Sequence, residues 1–568
     1  MRYMKEILEK NRNLVIVYLL IGLFNAFMSN YKADCFQKIV DGLTDGKITA
    51  YGILFYGVVL FVNYGMNYLD EYPAAKLGNE IYLDFKLLAL RKIGKMDYSE
   101  YQKLGTGKLV QQIENGANAG KGVLYDFWFC VVRNLVPTIF FSLYFIWKID
   151  RNITRFLVAG YIVVFLATNL LLKGLYQIKE KILNNEEELN HFLVRGFMEM
   201  PVFRMKRQFS NEVEKALGAK RIIVSSKVKM TMIHEAFFTI FALLVACLDI
   251  GILAYAWKRS HLSIGAVVAL ITLIDHAYTP IAIYNVIYVQ YKLNKTAWMR
   301  FKRLLDLKED NQLAQGVDFA ALSNEIRIED LSFSYEDKEV LKSVSLTIKR
   351  GEKAAFVGES GSGKSTLTKI LVGLLKYEVG NILFDSEPLK NISLDSLYEK
   401  VSYLSQDTPV FDGTIKENLV FDNAAVEADI HECLANTQLL SMLAALDQGL
   451  DTRIGEKGTC LSGGEKQRLA LARLWLDDPD IVVLDEATSA LDHVTESVVM
   501  KNVLEKLDHA TVIAVAHRLS SVSGFDKIFV FRNGEIVGNG TFEELLANNS
   551  YFLDLCRKEK ENAAERQN

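Results

Sequence analysis

A glycine-rich segment in the second half of the chain carries residues that could bind phosphate. It reads Gly358-Glu359-Ser360-Gly361-Ser362-Gly363-Lys364-Ser365-Thr366 and fits G-x-x-x-x-G-K-[ST] between a strand and an apolar helix. Glycines let successive backbone N–H groups point at phosphate oxygens, and the following helix adds a positive dipole. Against the alternative of a structural glycine-rich turn, we predict a nucleotide site in which Lys364 contacts the β- and γ-phosphates and the Ser365 hydroxyl can bind Mg²⁺. The predicted nucleotide-binding residues here are Gly358, Ser360, Gly361, Gly363, Lys364, Ser365 and Thr366.

Two adjacent carboxylates follow an apolar run further along the chain. The run Ile481-Val482-Val483-Leu484 is typical of a strand buried on both faces, and it ends in Asp485 and Glu486. Ligands of open α/β sheets gather at the carboxyl ends of strands. We therefore expect Asp485 to hold Mg²⁺, directly or through water, and Glu486 to act on an attacking water as general base.

A second anion-binding pattern lies between these two motifs. In Leu461-Ser462-Gly463-Gly464-Glu465-Lys466-Gln467-Arg468, Ser462 is placed to cap a helix that Gly463 and Gly464 open. One ATP does not need two separate phosphate sites on one chain. The simplest explanation is a head-to-tail dimer, in which this segment closes over ATP held by the other subunit.

The chain has two halves of different composition, and the elements that must position these residues belong to the second half. The chain has 568 residues, too many for one hydrophobic core, and long apolar runs occupy its first 300 residues or so. Its formal net charge of −4 argues against nucleic-acid binding, which would need a strongly basic domain. We predict two domains, a helical membrane domain over 1–312 and a nucleotide-binding domain over 313–568.

Six apolar stretches in the first half are each near the ~20 residues that a bilayer core requires. Basic residues in the two long connections, about 71–123 and 175–234, and at the amino terminus predict that these segments and both termini are cytoplasmic. Tyr3, Met4, Ile7 and Leu8 are spaced as a short surface helix or as the first turns of the first span. The six predicted spans are approximately 13–31, 51–70, 124–147, 153–174, 235–257 and 264–290.

An ionisable residue inside a membrane span costs free energy, so each such residue in the predicted spans is a functional candidate. These are Arg133, Asp249, Asp275 and His276. They could line a polar substrate cavity, or they could pair with one another or lie at a helix or subunit interface. The residues alone leave both alternatives open.

The six cysteines are scattered and form no C-x-x-C pair. This spacing disfavours a metal site or a disulfide framework and favours isolated small side chains in a reducing compartment.

The motifs, their order and their spacing resemble those of an ABC transporter half of the exporter fold, over nearly the whole chain. The resemblance implies an α-helical six-span transmembrane domain plus an α/β P-loop NTPase domain with an antiparallel β subdomain. It also implies that Tyr335 stacks on adenine and that Gln406 senses Mg²⁺ and couples to the membrane domain. By the same resemblance, Ser489-Ala490-Leu491-Asp492 forms the D-loop and His517 contacts the γ-phosphate. Lys457, in a segment resembling the exporter X-loop, stands where the family usually has Arg.

The resemblance further implies a dimer that binds ATP and Mg²⁺ and moves its substrate by alternating access. The tips of the two long connections, around Asp97–Gly107 and Gly196–Arg207, resemble the coupling helices of that family. Export of a lipid, peptide or hydrophobic small molecule is the leading expectation for a bacterial plasma-membrane protein with a cytoplasmic nucleotide-binding domain. Siderophore-type import on the same fold and regulatory ATP binding without hydrolysis are the alternatives. Whether the second half is the same chain or a different one stays open.

Overall fold

The structure of the protein is a computed structural model. It describes residues 2–104, 106–198, 200–258, 262–336, 338–406, 409–421, 427–455, 460–477, 479–516 and 518–565. The chain divides into two compact units, one of residues 1–94 and 104–307 and the other of residues 95–103 and 308–568. The proposed domain boundary near residue 312 stays a prediction.

The first unit is helical throughout its described elements. A short helix is separate from the first span because the backbone breaks at Asn11 (φ −98°, ψ 17°). Its Tyr3 hydroxyl donates to the Leu305 carbonyl at 3.0 Å and to Asp306 Oδ1 at 2.9 Å. This segment is therefore a helix distinct from the first span, and its position on the membrane surface stays a prediction. In chain order up to residue 305 the helices are α1 (Arg2–Lys10), α2 (Arg12–Thr44), α3 (Ala50–Gly94), α4 (Tyr98–Leu104), α5 (Thr106–Lys121), a π-helical segment (Gly122–Leu135), α6 (Val136–Ile149), α7 (Arg151–Met198), α8 (Met200–Met205), α9 (Phe209–Lys258) and α10 (Ile264–Leu305). All of α4 except Leu104 belongs to the second unit.

Among the described residues, five helical stretches are long and apolar enough to cross a membrane. They are Arg12–Thr44, Ala50–Gly94, Leu109–Ile149, Phe209–Lys258 and Ile264–Leu305, and they contain the first, second, third, fifth and sixth predicted spans. The fourth predicted span lies on α7. The tight polar link before it is confirmed: Asp150 separates α6 from α7, and its side chain accepts from the backbone N–H of Asn152 at 2.7 Å. The long connections extend α3, α7 and α9 well beyond span length, with the short helices α4 and α8 at their tips.

The second unit contains two β-sheets. An antiparallel sheet has the order β2-β1-β4-β5, and a six-stranded sheet has the order β10-β9-β3-β8-β7-β6, parallel except at its β10 edge. The strands are β1 (Glu325–Tyr335), β2 (Lys338–Lys349), β3 (Lys353–Gly358), β4 (Val379–Phe384), β5 (Glu387–Pro388), β6 (Val401–Leu404), β7 (Ile481–Asp485), β8 (Thr511–Val515), β9 (Lys527–Arg532) and β10 (Glu535–Gly540).

Helices cover both faces of the six-stranded sheet. Every residue of β7 is buried: Ile481 and Val483 pack into one core and Val482 and Leu484 into the other, as the period of two requires. This confirms the predicted doubly buried strand. The helices are α11 (Lys364–Leu371), α12 (Leu394–Tyr398), α13 (Ile415–Leu419), α14 (Glu427–Asn436), α15 (Leu440–Ala444), α16 (Gly463–Asp477), α17 (His493–Lys506), α18 (Phe542–Asn548) and α19 (Ser550–Glu565). Together the two units give the predicted fold class.

Candidate active site

The glycine-rich loop joins the end of β3 to the start of α11. Its glycines adopt positive φ angles, +147° at Gly358, +79° at Gly361 and +102° at Gly363. A Cβ at Gly358 would lie 2.2 Å from the Phe531 carbonyl oxygen, and one at Gly363 would lie 2.6 Å from Leu341 Cδ2. Only glycine satisfies both the φ angles and the close approaches, so the loop can curl its N–H groups inward.

Lys364 is the first residue of α11, and its side chain is buried. Its ammonium donates to the carbonyls of Gly358 at 2.9 Å and Glu359 at 2.8 Å, and to Ser362 Oγ at 3.3 Å. Burial lowers the pKa of Lys364, while the nearby carboxylates of Glu486 and Asp485 act in the opposite direction. The loop thus holds a desolvated cation at its centre.

The remaining predicted residues of this loop differ in accessibility. Ser360 and Gly361 are exposed at the top of the loop, and Thr366 is half-buried in the first turn of α11. The exposed positions can face a ligand, whereas Thr366 also belongs to the helix that supports the loop.

Asp485 ends β7 and is almost completely buried. Its Oδ1 accepts a 2.7 Å hydrogen bond from Ser365 Oγ, and its Oδ2 accepts one of 3.3 Å from the Tyr403 hydroxyl. The structure therefore brings together two predicted Mg²⁺ ligands that are far apart in sequence. Carboxylate and hydroxyl oxygens are the donors that this hard cation prefers, so the residues present fit the ion.

Glu486 follows Asp485 with a left-handed backbone, φ +56°. This conformation is uncommon for a residue other than glycine and tends to occur at functional sites. Glu486 Oε2 accepts a 2.8 Å hydrogen bond from Gln406 Nε2. The predicted general base and the predicted sensor residue are thus in direct contact.

Tyr335 lies at the end of β1, and its side chain is exposed. Its ring stands edge-on to Phe333 at a centroid distance of 5.0 Å, and Phe333 packs against the core beneath the antiparallel sheet. The ring of Tyr335 is therefore supported from one side and accessible to a stacking ligand.

The second predicted anion site opens α16. Ser462 Oγ accepts from the backbone N–H of Glu465 at 3.3 Å, while Glu465 Oε2 accepts from the backbone N–H of Ser462 at 2.7 Å. This is a reciprocal capping box. Gly463 and Gly464 pack against the D-loop: a Cβ at Gly464 would lie 3.3 Å from the Ala490 carbonyl oxygen. The predicted capping role of Ser462 is confirmed, and Glu465 completes it.

The D-loop ends at Asp492, which caps α17. Its Oδ1 accepts from the backbone N–H groups of Val494 at 3.1 Å and Thr495 at 3.0 Å, and the Thr495 backbone hydrogen bond is the largest cause that lowers the pKa of Asp492. Gln467 of α16 ties the same loop in place, donating to Ser489 Oγ at 3.1 Å and accepting from the Ala490 N–H at 2.8 Å. His517 and Lys457 lie outside the described residues.

Sequence reasoning missed three supporting residues: Tyr403, Glu465 and Gln467. Tyr403 is an ordinary strand residue of β6 in the sequence, and its contact with Asp485 appears only in the folded sheet. Glu465 had a local signal, because a Glu three residues after a capping Ser is typical of a capping box.

The ionisable residues of the predicted spans fall into two groups. Arg133 is buried and pairs with Asp70; its Nε donates to the Tyr18 carbonyl at 2.9 Å, and its guanidinium lies 3.9 Å from the centroid of the Tyr18 ring. The pairing alternative therefore describes Arg133, although its partner is none of the other three candidates.

Asp249 and His276 have buried polar atoms. Asp249 Oδ1 and His276 Nδ1 have no hydrogen-bond partner within the part of the chain that the structure describes. Asp275 is exposed and accepts from Thr279 Oγ1 at 3.4 Å. These three residues remain candidates for a substrate cavity.

The chain is similar to several known transport proteins. The ABC transporter family profile matches residues 341–489. An ATP-dependent lipid A-core flippase of Alcanivorax borkumensis is 26% identical over 515 residues, covering 89% of this chain and 86% of the flippase. A probable multidrug resistance ABC transporter ATP-binding/permease protein of Bacillus subtilis is 28% identical over 541 residues, covering 93% and 92%. The structure of a bacterial Atm1-family ABC exporter with ATP bound has a TM-score of 0.83 at 23% identity, covering 97% of this chain and 98% of that one, and shows the same fold.

The fold and the site define an ATP-binding cassette ATPase joined to a multi-pass helical membrane unit. Residues 341–489 carry the ABC transporter domain, and the chain as a whole has the exporter fold of a half-transporter, in which ATP hydrolysis is coupled to transport. Half-transporters of this fold function as dimers.

Proposed function

We propose that two halves, this chain and a second one, bind two ATP molecules between them and export a lipid or another hydrophobic molecule from a bacterial cell. The observation that carries the ATPase part is the contact set around the end of β7. There Asp485 meets Ser365, and Glu486 in a left-handed conformation meets Gln406.

Each residue of that set has a role in the proposed mechanism. Lys364 leaves the loop carbonyls for the β- and γ-phosphates of ATP, since phosphate charge attracts a desolvated ammonium more strongly than carbonyl oxygens do. Glu486 accepts a proton from the attacking water, and Gln406 holds the carboxylate in position. Ser365, Asp485 and Gln406 would hold Mg²⁺, which neutralises charge on the phosphates.

The second anion site completes the same reaction from the other subunit. The open end of α16 presents Ser462, Gly463 and Gly464 to the γ-phosphate held by the partner, with the helix dipole favouring negative charge. Tyr335 stacks on adenine, while Asp492 and His517 act at the dimer interface and at the γ-phosphate. Because ATP is bound better by the closed pair than by the open one, binding shifts the membrane unit between two conformations, and hydrolysis resets it.

Export rather than import is supported by the relatives. Among the relatives that cover nearly the whole chain, one is named a lipid A-core flippase and another a probable multidrug resistance transporter. The apolar character of such substrates agrees with entry from the membrane. The same bacterial relatives support a plasma-membrane location with the nucleotide-binding unit in the cytoplasm, where ATP is available.

The test is Glu486→Gln in the full chain, purified in detergent or nanodiscs with whatever second half it requires. The amide keeps the size and the Gln406 contact but cannot accept the proton, so turnover should fall about 10²- to 10⁴-fold. ATP binding, followed by a fluorescent nucleotide, should be retained. Steady-state hydrolysis at the wild-type rate would refute the general-base role.

Lys364→Met is the complementary variant, because it removes a phosphate contact rather than the base. It should weaken nucleotide binding itself. If the Lys364→Met and Glu486→Gln variants bound nucleotide with equal affinity, the division of roles between these two residues would be contradicted.

A further inference from the structure

A buried carboxylate bridges two segments next to the ATP site. Glu496 lies in the first turn of α17, and its side chain is only 5% exposed. Its Oε1 accepts from Thr488 Oγ1 at 2.8 Å, and its Oε2 accepts from Arg518 Nη1 at 2.5 Å. Burying a charge is costly unless it is paired and hydrogen-bonded, and both oxygens of Glu496 are engaged.

The first bridged segment is the approach to the D-loop. Thr488 lies two residues after Glu486 and directly before the D-loop, which Gln467 fastens to α16. A continuous set of hydrogen bonds therefore runs from the helix opened by Ser462, through the D-loop, to Glu496.

The second bridged segment follows His517. Arg518 is joined to His517 by one peptide bond, and its carbonyl accepts from Ser521 Oγ at 2.7 Å. The next residue, Leu519, donates its backbone N–H to Glu559 Oε2 of α19 at 2.9 Å. Arg518 is therefore held through its side chain by Glu496 and through its backbone by Ser521.

A cavity of about 920 Å³ lies beside both segments, lined by Thr488, Glu496 and Arg518 among others. Both segments border this open space, and side-chain contacts connect them there. The Glu496–Arg518 ion pair and the Thr488 hydrogen bond make that connection.

We infer that Glu496 is a positioning residue for ATP hydrolysis, which fixes the D-loop and the segment that begins at Arg518 relative to each other through Thr488 and Arg518. This rests on the proposed roles of Asp492 and His517. Glu496 touches neither nucleotide nor water in the mechanism, so its loss affects the rate through geometry. Misplacement of reacting groups by about 1 Å can cost on the order of 100-fold in rate.

The test measures kcat and KM for ATP in the full-length transporter. The variants are Glu496→Gln, Arg518→Met, the double variant and Thr488→Val. The matched control is Lys376→Met, because Lys376 is 34% exposed and pairs with Asp310 at 2.8 Å, as the 36% exposed Arg518 pairs with Glu496. Glu496→Gln and Arg518→Met should each lower kcat about 10- to 100-fold with KM changed less than about twofold.

The pattern across variants separates positioning from loss of folding. The double variant should be no slower than the slower single variant, because both break one bridge. Thr488→Val keeps the ion pair, so it should show smaller losses of kcat and of thermal stability than Glu496→Gln or Arg518→Met. Lys376→Met should stay within about twofold of wild type in kcat, because the Lys376–Asp310 pair has no part in the proposed mechanism.

Three outcomes would overturn the inference: single variants as active as Lys376→Met, effects that multiply in the double variant, or a change in KM alone. Failure of the proposed function gives a different result. In that case the Glu486→Gln variant hydrolyses ATP at the wild-type rate, whatever the effect of Glu496→Gln.

Discussion

The two units of this chain use buried polar groups in opposite ways. In the nucleotide-binding unit the predicted site residues contact one another: Ser365 meets Asp485, and Gln406 meets Glu486. In the membrane unit Arg133 is paired with Asp70, whereas Asp249 Oδ1 and His276 Nδ1 have no hydrogen-bond partner in the described residues.

The difference follows from what each unit must bind. Phosphate has a fixed shape and charge, so its site is built from backbone geometry and directly bonded side chains. A hydrophobic substrate offers few directional groups, so its cavity needs shape and only a few polar atoms. The first kind of site is recognisable as a motif, and the second is not.

The largest expected effect on nucleotide binding tests the geometric constraint in the nucleotide-binding unit. Gly363→Ala places a Cβ 2.6 Å from Leu341 Cδ2 at φ +102°. Such strain costs about 1–3 kcal/mol, and if the loop relaxes, its N–H groups no longer converge on phosphate. We expect ATP affinity to fall about 10- to 100-fold in a nucleotide-binding titration.

Gly361→Ala is the matched control. Its φ of +79° is also left-handed, but no heavy atom lies within 4 Å of the added Cβ. The expected cost is only about 1 kcal/mol. Equal losses at the two positions would mean that the close approach at Gly363 does not matter.

The second prediction concerns the paired group of the membrane unit. Arg133→Met removes the partner of Asp70 and leaves a carboxylate without its cation, which costs about 3–5 kcal/mol when a buried pair is broken. We expect less monodisperse protein after heating, assayed by gel filtration. The double variant Arg133→Met with Asp70→Asn should recover part of the loss; a strictly additive double variant would argue against the pairing.

Gly22 offers an independent check on the same contact. A Cβ there would lie 2.1 Å from Arg133 Cγ, so Gly22→Ala must displace the arginine side chain. It should lower thermal stability as Arg133→Met does, although it changes no charge.

How much of this could be predicted from sequence depends on how local each feature is. The loop from Gly358 to Ser365 and the strand ending at Asp485 are defined by neighbouring residues, since glycine φ angles and strand burial are short-range properties. Family resemblance then supplied Tyr335 and Gln406, which local chemistry alone would not single out.

Features that depend on distant contacts could not be predicted. Arg133 and Asp70 are 63 residues apart, and nothing in either span indicates that they pair rather than line a cavity. Glu496 appears in sequence as an ordinary polar residue near a helix start. Its importance comes from Arg518, 22 residues later, which the fold brings back to it.

The smallest expected effect tests whether the unpaired group of the membrane unit belongs to a substrate cavity. Asp249→Leu removes a buried oxygen that has no hydrogen-bond partner in the described chain. Removing an unsatisfied buried polar group should stabilise the protein by about 1–3 kcal/mol. If Asp249 serves only structure, nothing else changes; if it lines a cavity, stimulation of ATPase activity by hydrophobic substrates should change while the basal rate stays within about twofold.

Asp275→Asn is the control for that experiment, because Asp275 is exposed and already bonded to Thr279. It should alter stability little, by less than about 0.5 kcal/mol. Unchanged substrate stimulation in Asp249→Leu, together with higher stability, would remove Asp249 from the cavity and leave His276 as the remaining candidate with an unpartnered buried atom among the four. In that case the unpaired oxygen of Asp249 would reflect imperfect packing of the membrane unit, and the difference between the two units would not come from the kind of ligand that each one binds.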